Sequence, residues 1–212
     1  MGLLGVVIQA RIWAKRFPGK VLADLGGETV LQHLIRRCKQ IRGVDGVYVA
    51  TPDIALLPLI ERYGAIPYLG SEENVLGRYV NCAKANGLDA VVRLTGDCPF
   101  VDPDVVSELV ELFRTTGVEY ASNVLERSYP YGLDCEACYT KTLESIIAKP
   151  FINVKYREHV TLYIKDNMEK FTKVGFKTAR YSSILLQQKF FPKMSVDTED
   201  DLNRVRSLHA GL

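Results

Sequence analysis

The stretch Leu3-Leu4-Gly5-Val6-Val7-Ile8 is apolar at every position. A strand with one wet face alternates polar and apolar residues, so this run reads as a strand covered on both faces. Such a strand requires packing layers above and below it, and the rest of the chain supplies helices for both. Within Glu28 to Ile41, Val30, Leu31, Leu34, Ile35 and Cys38 recur at helical spacing.

The alternation continues along the first half. The spacing predicts strands over Val6 to Ala10, Val47 to Ala50, Ile66 to Leu69 and Ala90 to Leu94. Helices are expected over Ile54 to Tyr63, with Pro58 starting or kinking the turn, and over Val75 to Asn86, closed by Gly87. Pro103 opens a helix over Asp104 to Phe113, with Asp102 read as its N-cap. Alternation of this kind predicts an α/β fold, a mostly parallel sheet flanked by helices.

The second half is less regular. Tyr120 to Val124, Leu133 to Tyr139 and Phe171 to Thr178 read as strands, Val154 to Asp166 contains a helix, and Glu199 to Leu208 is another. No repeat, low-complexity tract or polar linker divides the 212 residues. One domain over 1–212 is expected, with residues about 125–190 as a lid or dimerising excursion.

A formal net charge of +2 gives no bulk basicity for nucleic acid, so any preference for anions must be local. No apolar run is long enough to cross a bilayer and the N-terminus lacks signal-peptide character, so a cytoplasmic protein is expected. The five cysteines are scattered and odd in number, as reduced thiols are. Cys135 and Cys138 lie three apart in a strand-like segment and should point to opposite faces, which argues against a joint metal site.

Ligands of open parallel sheets sit at the carboxyl ends of the strands, so the loops there carry the functional reading. After the first strand comes QARIWAKRFPGK, with Arg11, Lys15, Arg16 and Lys20 and no acid. A P-loop would need Gly at position 14 and Ser or Thr at 21, where Ala14 and Val21 stand, and the dinucleotide fingerprint is absent. A polyphosphate held by side-chain cations and a plain solvated basic loop both remain open on this segment alone.

Two other loops weigh on that choice. Asp97 in Thr95-Gly96-Asp97 and Asp197 in Val196-Asp197-Thr198 each follow a strand, where a carboxylate can hold a hard divalent cation. Glu199, Asp200 and Asp201 read as first-turn acids favoured by the helix dipole. Asp97 and Asp197 facing the cationic loop would allow metal-assisted attack on a phosphate.

In order along nearly the whole chain stand QAR with KRFPGKVL, GSEENVLGRY, VVRLTGDCPFVDP, YASN, YPYGLDCE, REHVTLYI and SVDTEDDL. This set resembles the cytidylyltransferase family that activates sugars as CMP derivatives, in its spore-coat polysaccharide branch. The synthetases of CMP-sialic acid and CMP-3-deoxy-manno-octulosonate are relatives of that branch. The resemblance implies a nucleotide-diphospho-sugar transferase fold of the glycosyltransferase-A type. It also implies a Mg²⁺-dependent attack of a sugar hydroxyl on CTP, with release of pyrophosphate. A homodimer is implied as well.

Carried onto this chain, the resemblance implies that Arg11, Arg16 and Lys20 hold the triphosphate, with Arg93 and Gly96 also on the nucleotide side. Arg11, Lys20 and Asp97 would be catalytic, and Asp97 and Asp197 would bind metal. Arg78, Asn123, Asp134, Glu136, Arg157 and His159 would face the sugar. Asp134 and Glu136, two apart on a strand, could share one pocket or form structural salt bridges, and His159 could equally be an ordinary helix residue. The attacking hydroxyl could lose its proton to solvent or to a carboxylate such as Glu136.

The opening loop departs from the family's usual RMGSTRLPGK: Trp13 replaces a small residue and Ala14 removes a hydroxyl. Trp13 is expected to pack against the protein rather than to stack on a base. Two alternatives to the CTP–sugar reaction stand: a nucleotide-binding module without turnover, and a sugar-1-phosphate nucleotidyltransferase using another nucleotide. Neither the sugar nor a strict preference for CTP is legible in the chain.

Overall fold

The computed structural model describes residues 2–176 and 193–211. The apolar run forms β1 (Leu4–Gln9), whose first five residues are buried. Among the described residues it is an inner strand, third of seven in the sheet, between β4 (Gly46–Thr51) and β6 (Ala90–Thr95), and is parallel to both. Beyond β4 lies β5 (Ile66–Leu69), also parallel. On the other side β6 pairs antiparallel with β8 (Glu136–Tyr139), which pairs antiparallel with β7 (Tyr120–Ser122); β9 (Lys173–Gly175) closes that edge parallel to β7. A small hairpin of β2 (Asp24–Leu25) and β3 (Glu28–Thr29) stands apart from the sheet.

Strand alternation splits the core into two layers. Leu4, Val6 and Ile8 face one, packed with buried residues of α1 (Val30–Cys38), α4 (Pro103–Thr116) and α8 (Glu199–Ala210). The same layer takes Ile60 of α2 (Leu57–Arg62). Val7 faces the other, with α3 (Val75–Ala85), α5 (Thr140–Ile147) and Ile164 of α7 (Leu162–Asp166). Each fully buried aliphatic side chain contributes about 1.5–3 kcal/mol, so β1 alone anchors both layers. Cys135 and Cys138 fall in opposite layers, as their spacing requires, and all five thiols are buried and free.

Local chemistry moves several boundaries. Gly26 and Gly27 turn with φ of 67° and 89°, so Glu28 and Thr29 join the hairpin rather than the helix. Thr29 then caps α1, accepting from Gln32 N at 3.1 Å. The stretch from Ile54 splits into a 3-10 turn (Ile54–Leu56) and α2, with Pro58 in the first helical turn, where no N–H is needed. Asp102 caps α4 as expected, and Gly117, at φ 65°, ends it three residues beyond Phe113.

The second half departs further from expectation. Val154 to Asp166 is two short helices, α6 (Val154–Glu158) and α7, interrupted at residues 159–161. The helix α5 is unanticipated; its Thr140 directly follows β8. The expected strand from Phe171 is realised at β9, and its far end at Lys177 and Thr178 lies outside the described residues. No helix among the described residues is long and apolar enough to cross a membrane.

Gln9 and Thr95 are register partners, so the loops that follow β1 and β6 leave the sheet side by side. Beneath them Tyr79 of α3, fully buried, donates toward Leu94 O at 2.9 Å and lies 3.1 Å from Val7 O. Its hydroxyl pins α3 to the two strands that aim these loops. Tyr79→Phe keeps the ring and should cost about 0.5–1.5 kcal/mol in urea unfolding. A change within measurement error would mean the hydroxyl does not tie the layers together.

Candidate functional site

The loops after β1 and β6, the segment before α8 and the ends of α3 and α6 enclose a cleft of ≈ 1070 Å³. Gly19, at φ 78°, turns the cationic loop so that the following 3-10 turn begins with Lys20. Gly96 lets the loops after β1 and β6 approach closely: a Cβ there would stand 3.0 Å from Gln9 O and from Ala10 Cβ.

Lys20 occupies the meeting point. Its ammonium donates to Asp97 Oδ2 at 2.7 Å, Val196 O at 2.8 Å and Asp197 Oδ1 at 3.2 Å. Three protons meet three acceptors, so the charge is fully satisfied. Arg16 adds a contact to Asp197 Oδ1 at 2.8 Å, and Lys193 reaches Asp197 Oδ2 at 2.8 Å. Burial draws the Asp197 pKa upward, but the hydrogen bond from Lys193 and the charge of Lys20 outweigh it and hold the carboxyl below its ordinary value. A backbone bond, Val196 N to Asp97 O at 2.7 Å, ties the two acidic segments directly.

The first-turn acids of α8 differ among themselves. Asp201 is buried, accepts from Asp197 N at 3.0 Å and Thr198 N at 3.2 Å, and is bound by Lys193 and Arg204. With Thr198 accepting from Asp201 N it completes a capping box. Asp201 therefore positions Asp197, a role beyond the helix-dipole reading. The Thr-x-x-Asp spacing was the signal that could have shown it.

The other expected residues divide between the cleft and elsewhere. Arg11, Arg78 and His159 line it. Arg11 lies 3.6 Å from Glu72, a half-exposed pair of little energetic weight. Arg78 is buried, donates to Ser71 O at 2.5 Å and keeps Nε without a hydrogen-bond partner among the described residues. Burial lowers its pKa. Arg157 is exposed on α6 and outside the cleft lining. Trp13, expected to pack, is 69% exposed.

Asn123 serves backbone. Its Nδ2 donates to Leu133 O at 2.8 Å and its Oδ1 accepts from Cys135 N at 2.9 Å. Asp134 and Glu136 do not share a pocket: Asp134 takes two bonds from Arg127 at 2.9 and 3.0 Å, while Glu136 is 2% exposed inside the sheet. Their partners are not the nearby basic residues of α6. Glu136 is met by Arg93 at 2.5 Å, Lys165 at 2.7 Å, Thr161 at 2.9 Å and the hydroxyl of Tyr120. Arg93 reaches the cleft only through Gln9, whose Oε1 it approaches at 3.3 Å.

Burial raises the Glu136 pKa, but the charges of Arg93 and Lys165 win and bring it to about 2. Glu136 is 2% exposed, engaged by four side chains and outside the cleft lining, so it is not placed to take a proton from a hydroxyl bound in the cleft. Because its folded pKa lies below the ordinary 4.5, Glu136 contributes stability above that pH and loses it as pH falls toward 2. Glu136→Gln should cost about 3–5 kcal/mol at pH 7, since it leaves Arg93 unpaired. The difference from wild type, followed by denaturant unfolding, should shrink between pH 4.5 and 2; a difference that stays constant would contradict this electrostatic account.

A family model for cytidylyltransferases matches residues 5–209. The chain is 30% identical over 211 residues to the spore coat polysaccharide biosynthesis protein SpsF of Bacillus subtilis, covering 96% of this chain and 85% of that protein. Its fold matches a cytidylyltransferase of Leptospira borgpetersenii with a TM-score of 0.89 at 27% identity, over 99% of this chain and 87% of the other. A CMP:2-keto-3-deoxy-manno-octonic acid synthetase solved with CTP shares the fold at a TM-score of 0.75 and 21% identity, over 99% of both chains. A central parallel sheet, a cationic loop after its first strand and a match along nearly the full length converge: this chain belongs to the cytidylyltransferase family.

Proposed function

We propose that this cytidylyltransferase joins CTP to a small acidic or amino sugar, giving a CMP-sugar and pyrophosphate for surface polysaccharide. The observation that carries the reading is the convergence of Asp97 and Asp197 on one ammonium at the mouth of the cleft, beside Arg16. Two carboxylates on either side of a single cation form an all-oxygen donor set suited to a hard divalent ion. Asp97 and Asp197 would hold Mg²⁺, which would neutralise phosphate charge and make the phosphorus more electrophilic.

The chain's own cations do the remaining electrostatic work. Arg11, Arg16 and Lys20 line the cleft, and with Lys15 they offer charge-assisted hydrogen bonds to a triphosphate. Arg16 is held by Asp197 through a largely exposed side chain, so it can exchange that partner for phosphate at small cost. Arg78 and His159 stand at the same cleft, where a carboxylated sugar would find a cation and a hydrogen-bonding imidazole. Orientation of the attacking hydroxyl and neutralisation of the leaving pyrophosphate then account for the acceleration. With Glu136 removed as the base, the hydroxyl proton passes to solvent.

The region about 125–190 is proposed as the sugar-side or dimerising part of a single domain. Phe151, fully exposed, and Val154, 71% exposed, support a face covered by a second copy in a cytoplasmic homodimer. The similarity to a spore coat polysaccharide biosynthesis protein and to a CMP:2-keto-3-deoxy-manno-octonic acid synthetase supports the polysaccharide context and the acidic sugar.

Pyrophosphate release, measured with CTP, ATP, GTP and UTP across sugar acids and amino sugars, should select CTP. Mass spectrometry should show a CMP adduct lacking an extra phosphate. Asp97→Asn and Asp197→Asn should each lower release at least about 100-fold with unfolding midpoints retained. Full activity in either variant would remove the mechanism. Silence with every pair would favour a binding module, and a product carrying a second phosphate would favour a sugar-1-phosphate substrate.

A further inference from the structure

On the side of the molecule formed by the β2–β3 hairpin, three side chains from distant parts of the chain meet. Glu28 belongs to β3, His33 to α1 and His209 to the last turn of α8. One ligand atom of each lies within 4.8 Å of the other two. His33 is 4% exposed, and its Nδ1 lies 2.7 Å from Glu28 Oε1. Its Nε2 is buried without a hydrogen-bond partner among the described residues.

Nδ1 of His33 and Oε1 of Glu28 already stand side by side as two potential ligand atoms, and both lie within reach of a ring nitrogen of His209. The second imidazole is at hand: the rings of His33 and His209 meet edge to face, centroids 5.1 Å apart. Gly26 keeps the space open, since a Cβ there would stand 2.4 Å from the His209 ring.

We propose that Glu28, His33 and His209 form a site for a divalent transition-metal ion of the Zn²⁺ class, clasping the C-terminal helix to the hairpin and α1. Two imidazoles and one carboxylate favour such an ion over Mg²⁺, and three protein ligands leave one tetrahedral position for water. Arg36, 2.8 Å from Glu28 Oε1, is the competing cation; its side chain is 53% exposed and can turn to solvent as the ion enters.

The clasp is separate from the cleft but mechanically close to it. Phe100, three residues after Asp97, stacks on His209 with centroids 6.5 Å apart and meets His33 edge to face at 5.8 Å. An ion joining the two imidazoles would stiffen the wall against which that loop rests.

The test uses the full chain without nucleotide. Co²⁺ is titrated while its visible absorption is followed, and Zn²⁺ is titrated by calorimetry and by thermal unfolding. Wild type should take up one equivalent with a tetrahedral-type Co²⁺ band, and Zn²⁺ should raise its unfolding midpoint. The Asp97→Asn, Asp197→Asn double variant should keep both responses. His209→Gln and His33→Gln should each weaken binding at least tenfold and abolish the Zn²⁺-dependent rise. His209 is only partly buried at a helix end, so its variant tests the site even where His33→Gln unfolds. No Co²⁺ band in wild type, unchanged affinity in His209→Gln, or loss in the aspartate double variant instead would each overturn the proposal.

Discussion

The ammonium of Lys20 is the point on which the cleft depends. It collects Asp97 Oδ2, Val196 O and Asp197 Oδ1, acceptors separated from it by 77, 176 and 177 residues. Without that charge two carboxylates would face one another across the mouth of the cleft, with only Asp197 still held by other cations, Arg16 and Lys193. The loop after β1, the loop after β6 and the turn into α8 are therefore drawn to one place by electrostatics. The sheet register then fixes their height above the core, because Gln9 and Thr95 leave it together.

The two groups of acids in this protein show how burial decides a carboxylate's fate. Asp97 and Asp197 stay at the surface of a wide cleft, where a ligand can reach them and their cationic partners can be exchanged. Glu136 sits at 2% exposure among Arg93, Lys165, Thr161 and Tyr120, and every lone pair is engaged. Opening that cluster would strand charges in a medium of low dielectric, so it behaves as a strut between β6, β8 and the segment ahead of α7. Through Gln9 the strut ends at the floor of the cleft. Rigidity below and exchangeable ion pairs above suit a site that has to hold and release a highly charged molecule.

Much of this was legible in the chain, and the reasons differ residue by residue. Asp102 announced itself as a cap because Pro103 follows it, and a cap needs only its immediate neighbours. Asp97 was legible as a strand-end carboxylate because β6 does end at Thr95, whereas the expected strand before Asp197 is not formed: residues 193–198 are an irregular segment leading into α8. Asp201 is a first-turn acid of α8 as read, but its bonds to Lys193 and Asp197 N appear only when the turn before α8 closes. The pairing of Glu136 was missed because Arg93 is its neighbour across β6 and β8, a register that no local pattern encodes. α5 was missed for another reason: its eight residues carry too few turns for a periodic signal.

By itself the sequence determined the layering and the chemistry of the loops. Apolar runs of strand length demanded cover on both faces, helical stripes supplied it, and glycine and proline placed the turns, all through interactions a few residues long. Only the tertiary structure decided which acid meets which cation, which carboxylate is reachable and which is locked away. Those outcomes depend on contacts between residues far apart in the chain and on the dielectric each is buried in, and neither quantity exists until the sheet has closed.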